Sequence, residues 1–426
     1  MSNFRKMSAH HWVLLITLYF LQGFPSGLLV HAMPALLRSS GVSLELLGFL
    51  KLLALPWVLR FIWAPYVDRF YIRKWGAHRS WILLMQGLVV LSVMLLMFTD
   101  IGSLSQSDLL LIFSLIFLIN LFCATQDIAT DALAVKLLPT HLRGLGNSVQ
   151  VSGYKIGLLF GGNAILWGLD VIGWQTSLMI MAIIILLCLL PTLLFDENRT
   201  FPEAHLESKP HTVHEPVSFA WYRQQFISFA KRPGVGFWLL TLGLYKVGDS
   251  LGSAMIKPML VDIGTSLSTI ANLSLIGSLA GILAATMGGA IYYRFGPRTC
   301  LLLFGLLQGL GLGAYALINT DSSFALLAGL SIFEQSADGM ATVALFAMMM
   351  EHCRKGHEGT DYSLQACIQV SVAGLGGVLA GVIASQLGYT SLFILAMLVT
   401  WLCLVSVLLL FSKDRLASGA EQQFHS

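Results

Sequence analysis

Twelve apolar stretches, each close to the length that crosses a lipid bilayer, follow one another along the chain. A membrane-spanning helix needs about 20 apolar residues. With 56% apolar and 11% charged residues, the chain is far poorer in charge than a soluble domain. This predicts an all-α integral membrane protein. The predicted spans, numbered 1 to 12 in chain order, are residues 12–32, 44–64, 81–99, 109–132, 145–168, 174–195, 234–256, 268–292, 300–318, 323–349, 364–386 and 389–411.

Lysine and arginine residues concentrate in alternate connections between the spans. Short loops rich in these residues stay in the cytoplasm, and a cytoplasmic N-terminus leaves the outer loops only Arg38 and Lys257. We therefore expect both termini in the cytoplasm, and a first span that is retained rather than cleaved as a signal peptide. The predicted organisation is a six-helix bundle (1–195), a cytoplasmic linker (196–232), a second six-helix bundle (233–412) and a cytoplasmic tail (413–426).

The two blocks of six spans resemble each other. In the first block, Gln150 precedes a Gly-Gly pair by eleven residues, and Gln365 does the same in the second. Gln86-Gly87 and Gln308-Gly309 form another matched pair. A parallel internal repeat of this kind is typical of transporters that rock two halves around a site at the bilayer midplane.

Span 4 contains two acids four residues apart, Asp127 and Asp131. On a helix they share a face with Asn120. A charged residue at the bilayer centre costs about 2.5–3.5 kcal/mol on insertion scales. Asp127 is therefore interpreted as an interior salt bridge or a proton site. Asp131 lies nearer the cytoplasmic mouth, where a wet interfacial position is the alternative.

Span 10 carries a similar pair, Glu334 and Asp338, closer to mid-membrane. Its depth makes Glu334 the best candidate for proton coupling, with Asp338 and Asp127 as further candidates. A structural ion pair of Glu334 with Lys246 or Lys155 is the alternative. In span 7, Lys246 and Asp249 are spaced to pair along one helix face, either as part of a binding site or as a self-neutralising pair.

The loop after span 2 combines an Asp68-Arg69 pair with a cluster of bases. An acid and bases at the cytoplasmic mouth can pair in one conformation and separate in another, which predicts a gate. A plain positive-inside loop is the alternative. We expect Asp131 and Arg143 to belong to the same gate, together with Asp127.

Polar and aromatic side chains within the spans are candidates for lining a substrate cavity. Around Tyr19 and Gln22, the run 23–27 (Gly-Phe-Pro-Ser-Gly) is predicted to break regular helix. The glycines of span 5 are interpreted as packing residues. The cavity candidates are Tyr19, Gln22, Lys51, Asn120, Tyr154, Lys155, Tyr245, Lys246 and Asp249.

The chain carries no recognisable catalytic or nucleotide-binding motif, so we expect no enzyme activity, no cofactor and no nucleic-acid partner. The six cysteines are scattered without a pairing pattern and are interpreted as packing residues. Histidines 205, 211 and 214 in the linker are interpreted as ordinary linker residues, and no metal site is predicted.

Three segments carry a family resemblance: "RFIWAPYVDRF" (60–70), "ATQDIATDALAV" (124–135) and "GLGNSVQVSGYKIGLLFGG" (144–162). They resemble the muropeptide-permease and acetyl-CoA-transporter branch of the major facilitator superfamily. Within it, "YFLQGFPSGLL" (19–29) looks most like the RhtX/FptX siderophore-permease family. The resemblance implies that a siderophore or its metal complex is imported across the inner membrane of a Gram-negative bacterium. The linker lacks the two additional spans of the longer muropeptide permeases, which weakens the muropeptide interpretation.

The function expected from these observations is proton-coupled import by alternating access, carried out by a functional monomer whose partners are the solute, protons and the lipid bilayer. The alternative is a muropeptide or drug permease, or a siderophore exporter, on the same fold. A membrane sensor is expected either to carry a long partner-binding domain or to lack intramembrane charges. This sequence shows no such domain, and its spans do contain charged residues.

Overall fold

The computed structural model describes residues 7–40, 42, 50–99, 106–202 and 218–424, and across these residues the regular structure is entirely helical. Within this part of the chain, helices occupy the positions of all twelve predicted spans. Their bounds are Ala9–Gly27 and Met33–Ser39 (span 1), Leu50–Ala54, Leu55–Leu59, Arg60–Ile62 and Ala64–Arg69 (span 2), Ala77–Leu96 (span 3), Gln106–Leu137 (span 4), Arg143–Leu159 and Ile165–Ile172 (span 5), Trp174–Leu194 (span 6), Val235–Tyr245 and Val247–Asp262 (span 7), Leu267–Ala314 (spans 8 and 9), Phe324–His352 (span 10) and Glu358–Phe424 (spans 11 and 12).

Two of these helices each contain two spans. Gly296 interrupts Leu267–Ala314 with a φ of 75°, and Gly388 interrupts Glu358–Phe424 with a φ of 78°. Glycine adopts positive φ at little cost, so each of these two positions marks a turn between consecutive spans. By length and composition, six of the described helices can cross a membrane, and these two are among them. Spans 2, 5 and 7 are built from shorter helices.

The run 23–27 does not break the first helix, so that prediction is wrong. The helix continues to Gly27 with Pro25 inside it, and a π-helical segment, Leu28–Ala32, follows. Inside a bilayer, the backbone has few partners other than its own helix, and local π adjustments accommodate a proline. A second π-helical segment, Phe160–Ala164, lies in span 5.

The glycines of spans 1 and 5 form a close seam between the two backbones. A Cβ atom at Gly27 would lie 2.4 Å from the carbonyl oxygen of Leu158, and one at Gly161 would lie 1.8 Å from that of Phe24. Small residues allow membrane helices to approach closely and to gain dispersion contacts. The interpretation of the span 5 glycines as packing residues agrees with this geometry.

The chain contains two compact units that do not coincide with the two sequence blocks. Unit 1 comprises Met1–Pro139, Gly153–Gln225 and Cys353–Cys367. Unit 2 comprises Thr140–Ser152, Phe226–His352 and Ile368–Ser426. Each unit therefore includes a short segment, from span 5 or the start of span 11, that belongs to the other sequence block. The division at 195 and 233 stays a prediction.

Residues 196–232 were predicted as a polar cytoplasmic linker. The structure shows two helices there, Glu197–Thr200 and Phe219–Ala230, while 203–217 lie outside the described residues. Histidines 205, 211 and 214 fall in that interval.

Glu197 ties the end of span 6 to the start of span 3. Its carboxylate is 2% exposed and accepts hydrogen bonds from the backbone amides of His78 (3.0 Å) and Arg79 (2.9 Å) and from the His78 ring (2.7 Å). A carboxylate at a helix N-terminus satisfies amides that have no partner within the helix and favours the helix dipole. Arg79 completes the connection by donating to the carbonyl oxygens of Thr192 and Leu193.

The Glu197→Gln variant should lose a pH-dependent part of the stability. Burial alone raises the pKa of Glu197, but the nearby His78 ring and the hydrogen bonds from His78 and Arg79 lower it to about 2, from an ordinary 4.5. The ionised form therefore stabilises the fold by about 2–3 kcal/mol above the ordinary pKa, and this is lost as the pH falls towards 2. The Tm of wild type in detergent should exceed that of the variant at pH 7, and the gap should close between pH 5 and 2. The control Asp321→Asn changes an exposed acid, and a gap independent of pH contradicts the assignment.

Replacing Gly161 by alanine should destabilise the seam between spans 1 and 5. The added methyl group overlaps the Phe24 carbonyl, and overpacking of this kind costs about 1–3 kcal/mol. The matched control is Gly374→Ala, because a Cβ atom at Gly374 would meet nothing within 4 Å. Thermal unfolding in detergent should show a lower Tm for Gly161→Ala alone, and equal Tm values would remove the seam as a structural constraint.

Candidate functional site

A lysine and two aspartates form a buried ion cluster in unit 2, called the Lys246 cluster. Lys246 lies at the break between the two helices of span 7, and its Nζ is 2.6 Å from Asp338 Oδ1 and 3.4 Å from Asp249 Oδ2. Gln308 and Thr342 also donate to Asp338 Oδ1, at 3.4 and 3.3 Å. The ammonium group and the two carboxylates thus join spans 7 and 10, and the Gln308 amide adds span 9.

Unit 1 contains a second buried ion cluster, called the Arg60 cluster. Arg60 forms an ion pair with Asp127 and places its second terminal nitrogen 3.5 Å from Asp131 Oδ2. The side chain of Asp131 is 1% exposed, so it is buried within the protein, and its depth in the bilayer stays a prediction. The helix of span 4 continues to Leu137, which leaves Asp131 well inside the helix and opposite span 2.

Aromatic side chains line the Arg60 cluster. The guanidinium carbon of Arg60 lies 6.0 Å from the centre of the Trp57 ring, and Trp57 Nε1 donates to Asn120 Oδ1 at 3.0 Å. Arginine against an indole face gains a cation–π attraction that is larger where water is excluded. Asn120, predicted on the acidic face, therefore contributes to the Arg60 cluster through Trp57.

The two clusters share matched acids of the internal repeat, Asp131 and Asp338, whereas their bases come from spans 2 and 7, which are not counterparts. Tyr19 and Gln22 in span 1 have the spacing of Lys246 and Asp249 in span 7. Ser26 Oγ donates to the Gln22 carbonyl and Ser253 Oγ to the Asp249 carbonyl, at 2.8 and 2.7 Å. Tyr19 is buried beside Asp131, as Lys246 is beside Asp338. The repeat thus places an acid of span 4 or 10 against span 1 or 7.

The remaining cavity candidates differ in their surroundings. Tyr245 is buried and donates from its hydroxyl to the Leu301 carbonyl at 2.9 Å, which ties span 7 to span 9. Tyr154 is 37% exposed and Lys155 is half-buried. The side chain of Lys51 lies outside the described residues. The substrate roles of these residues stay predictions.

Glu334 lines a cavity of about 260 Å³ in unit 2 whose lining is partly polar and partly apolar. It is 2% exposed, and Gln335 Nε2 donates to its Oε2 at 2.9 Å. The alternative pairing with Lys246 is not the geometry observed, since the Lys246 ammonium contacts Asp338 and Asp249 instead.

Asp68 contacts the beginning of span 11 within unit 1. Its carboxylate accepts from the backbone amides of Gly359 (3.1 Å) and Thr360 (2.7 Å) and from the Thr360 hydroxyl (2.6 Å). These are orphan amides of a helix N-terminus, where a carboxylate is favoured. The bases of the loop are not what Asp68 contacts in this geometry. The sequence interpretation missed Thr360, whose only signal was its place in a predicted cytoplasmic connection.

Arg69 and the start of span 11 both contact the helix Phe219–Ala230. The Arg69 guanidinium carbon lies 4.6 Å from the Trp221 ring centre. Arg354 donates to both carboxylate oxygens of Asp361, at 2.8 and 2.6 Å, and to the Gln225 carbonyl at 2.9 Å. The charged stretch around residues 351–361 was the available sequence signal for this second pairing.

Arg143 belongs to unit 2, unlike the other residues expected in the gate. It starts the helix Arg143–Leu159 and lies beside Tyr292 and Glu351, whose side chains are joined by a 3.0 Å hydrogen bond. The expected single gate thus separates into three sets of contacts: Asp127 and Asp131 with Arg60, Asp68 with span 11, and Arg143 with the ends of spans 8 and 10.

Comparison with known proteins identifies relatives over most of the chain. The family model described as Major Facilitator Superfamily matches residues 15–365 and 238–425. The anhydromuropeptide permease of Escherichia coli K12 is 29% identical over 386 residues, which are 89% of this chain and 76% of that protein. The "putative transporter AmpG 4" of Rickettsia conorii is 25% identical over 403 residues, covering 92% and 94%.

Solved structures share the fold at low sequence identity. A bacterial homologue of the iron transporter ferroportin, in an outward-facing state, has a TM-score of 0.70 at 15% identity and covers 95% of this chain and 100% of its own. The transporter FucP in the outward conformation has a TM-score of 0.70 at 16% identity, covering 94% and 98%.

A double substitution tests whether the ammonium group of Lys246 neutralises Asp338. Replacing Lys246 by methionine leaves Asp338 and Asp249 without their ammonium partner, and breaking a buried pair costs about 3–5 kcal/mol. Adding Asp338→Asn should recover part of the stability, because an uncompensated charge is removed. The Tm of the double variant should exceed that of Lys246→Met. A double variant less stable than Lys246→Met would show that the ammonium does not neutralise Asp338.

Proposed function

Because this chain belongs to the Major Facilitator Superfamily, it is a multi-pass membrane transporter and not an enzyme, and we propose that it imports a bulky anionic solute with protons. The import direction, the proton coupling and the solute are parts of this proposal, as are the bacterial inner membrane with cytoplasmic termini and a functional monomer.

The observation that carries the proposal is the pair of buried ion clusters. Burying acids in a helical bundle is expensive, and intramembrane ionisable groups commonly mark ion or substrate pathways. The Arg60 and Lys246 clusters each combine one base with two acids. When an acid in such a cluster takes up a proton, its pairing with the base weakens, and the base is released towards an anionic group of the solute.

Alternating access would require the contacts at the cytoplasmic ends to form and break. The Asp68 contact with Gly359 and Thr360 suits this role, because its hydrogen bonds can be replaced by water at a loop. Arg69 against Trp221 and Arg354 against Gln225 add contacts of similar kind. We assign the gate to this group rather than to Asp127 and Asp131.

A siderophore or its metal complex is our first candidate for the solute. The segment 19–29 resembles siderophore permeases, and Tyr19 of this segment lies beside Asp131 of the Arg60 cluster. Siderophores are amphipathic and often aromatic, and their metal complexes often carry negative charge. A guanidinium group next to the indole ring of Trp57 suits such a solute.

An anhydromuropeptide is the second candidate, favoured by the names of the sequence relatives. Such a solute is also bulky and anionic, so the clusters suit it for the same electrostatic reason. The shorter central segment of this chain, compared with the muropeptide permeases, favours the first candidate.

Uptake by cells distinguishes the two solutes. Cells lacking their own permeases and expressing this chain should accumulate a radiolabelled metal–siderophore complex, and accumulation should collapse when a protonophore removes the proton gradient. A parallel arm uses radiolabelled anhydromuropeptide. Uptake of the second solute alone replaces the first candidate by the second, and uptake that is indifferent to the protonophore removes proton coupling.

The Glu334→Gln variant tests the coupling residue in the same cells. It should abolish accumulation against a gradient while sparing solute exchange, because a glutamine cannot release a proton. Asp321→Asn changes an exposed acid outside the two clusters and the gate contacts, so it is the control and should transport normally. Full accumulation by Glu334→Gln would move the coupling role to Asp338 or Asp127.

A further inference from the structure

The described lining of the cavity in unit 2 includes Glu334, and none of the three residues of the Lys246 cluster is among these lining residues. It is formed by spans 7, 8 and 10 and the end of span 9, and its volume is about 260 Å³. Exposed residues, Ser253 and Lys257, lie in the lining together with the buried Glu334. The cavity therefore connects the surface of unit 2 with a carboxylate that is 2% exposed.

The lining of the cavity is rich in hydroxyl groups. Serines from span 7 (Ser253), span 8 (Ser274 and Ser278) and span 10 (Ser331) contribute, with Tyr315 at the end of span 9. A hydroxyl both donates and accepts hydrogen bonds. A cavity of this size has room for roughly eight water molecules, each needing two to four polar partners. Water can therefore bridge the lining groups in a continuous chain.

We infer that this cavity is an aqueous proton path from the outer surface to Glu334, separate from the route of the solute. The inference rests on the proposed proton coupling. The lining includes one carboxylate, neutral hydroxyls, the Gln335 amide and the Lys257 ammonium. A single carboxylate with an ammonium group in the same lining is a poor site for a divalent cation, which prefers several oxygen ligands. The carboxylate also disfavours a bound anion. A proton that passes along a chain of water molecules needs neither a set of oxygen ligands nor an anion-binding site.

The charged and titratable groups that line the cavity set the direction of the pH effect. Besides Glu334 they are Lys257 from span 7 and Tyr315 from the end of span 9, while span 8 contributes serines. The predicted orientation of the chain places Lys257 on the outer side. Protons would then enter at the Lys257 end, and Glu334 would carry them for release towards the cytoplasm during the transport cycle.

Thiol labelling tests access to the cavity without measuring transport. Ser278→Cys, in the otherwise complete chain in spheroplasts, should react with a membrane-impermeant methanethiosulfonate reagent added from outside. Wild type controls for the six native cysteines. Ser92→Cys is the matched control, because Ser92 is buried in span 3 and bonded to the Leu88 carbonyl. Absence of labelling at Ser278→Cys, or labelling from inside-out vesicles alone, overturns the inference.

A second measurement separates this inference from the proposed function. Ser278→Val should lose solute-driven proton uptake in proteoliposomes, while exchange of solute is retained. Normal proton uptake by Ser278→Val overturns the path but leaves proton coupling intact. Proton-independent uptake by wild type, or coupling to a sodium gradient instead, overturns the coupling itself, whatever the labelling result.

Discussion

The cost of placing charge inside a helical bundle is the constraint on which this structure depends. Asp127, Asp131 and Asp338 lie within apolar helices, and each contacts Arg60 or Lys246. Without these contacts, every acid would carry a desolvation penalty of several kcal/mol. The two bases therefore hold spans 2 and 4, and spans 7 and 10, in a defined register, and they keep ionisable groups where a transport cycle can use them.

The structure separates rigid contacts from contacts that can exchange. The glycine seam between spans 1 and 5 brings backbone against backbone, and such packing has little freedom to deform. Glu197 fixes spans 3 and 6 through three buried hydrogen bonds. Asp68, by contrast, is half-buried and binds amides at the end of a helix. Water can replace those bonds at moderate cost, so this contact is the better one to break.

The sequence predicted the helical membrane fold because apolar length and the distribution of basic residues are local signals. Lys246 with Asp249 was also predicted, since the two residues are three apart on one helix. The partner of Asp127 was harder to assign. Arg60 lies 67 positions earlier, and composition does not specify which cation within the spans comes close. The burial of Asp131 was also hard to predict, because the helix of span 4 continues to Leu137, beyond the predicted span.

Glu197 and the helix Phe219–Ala230 were missed for a related reason. A polar segment between two blocks of spans is interpreted as a linker. Its composition does not show that it forms a helix, or that one of its carboxylates caps another helix more than a hundred residues away. The error at residues 23–27 was the opposite one, because a break was predicted where the helix continues. Glycine and proline break helices in water, whereas within an apolar bundle the same glycines allow close packing, and the backbone keeps its hydrogen bonds.

The fold by itself does not select a solute. Two solved structures with a TM-score of 0.70 are a bacterial homologue of the iron transporter ferroportin and the transporter FucP. Selection must come from the charges that this chain adds. The Arg60 and Lys246 clusters each contain more acid than base, so protonation of one acid in either cluster brings its formal charge from minus one to zero. The anionic solute that we propose would meet less repulsion in the protonated state. Under the proposed coupling, solute binding and proton binding would therefore favour each other through electrostatics, as coupled uptake requires.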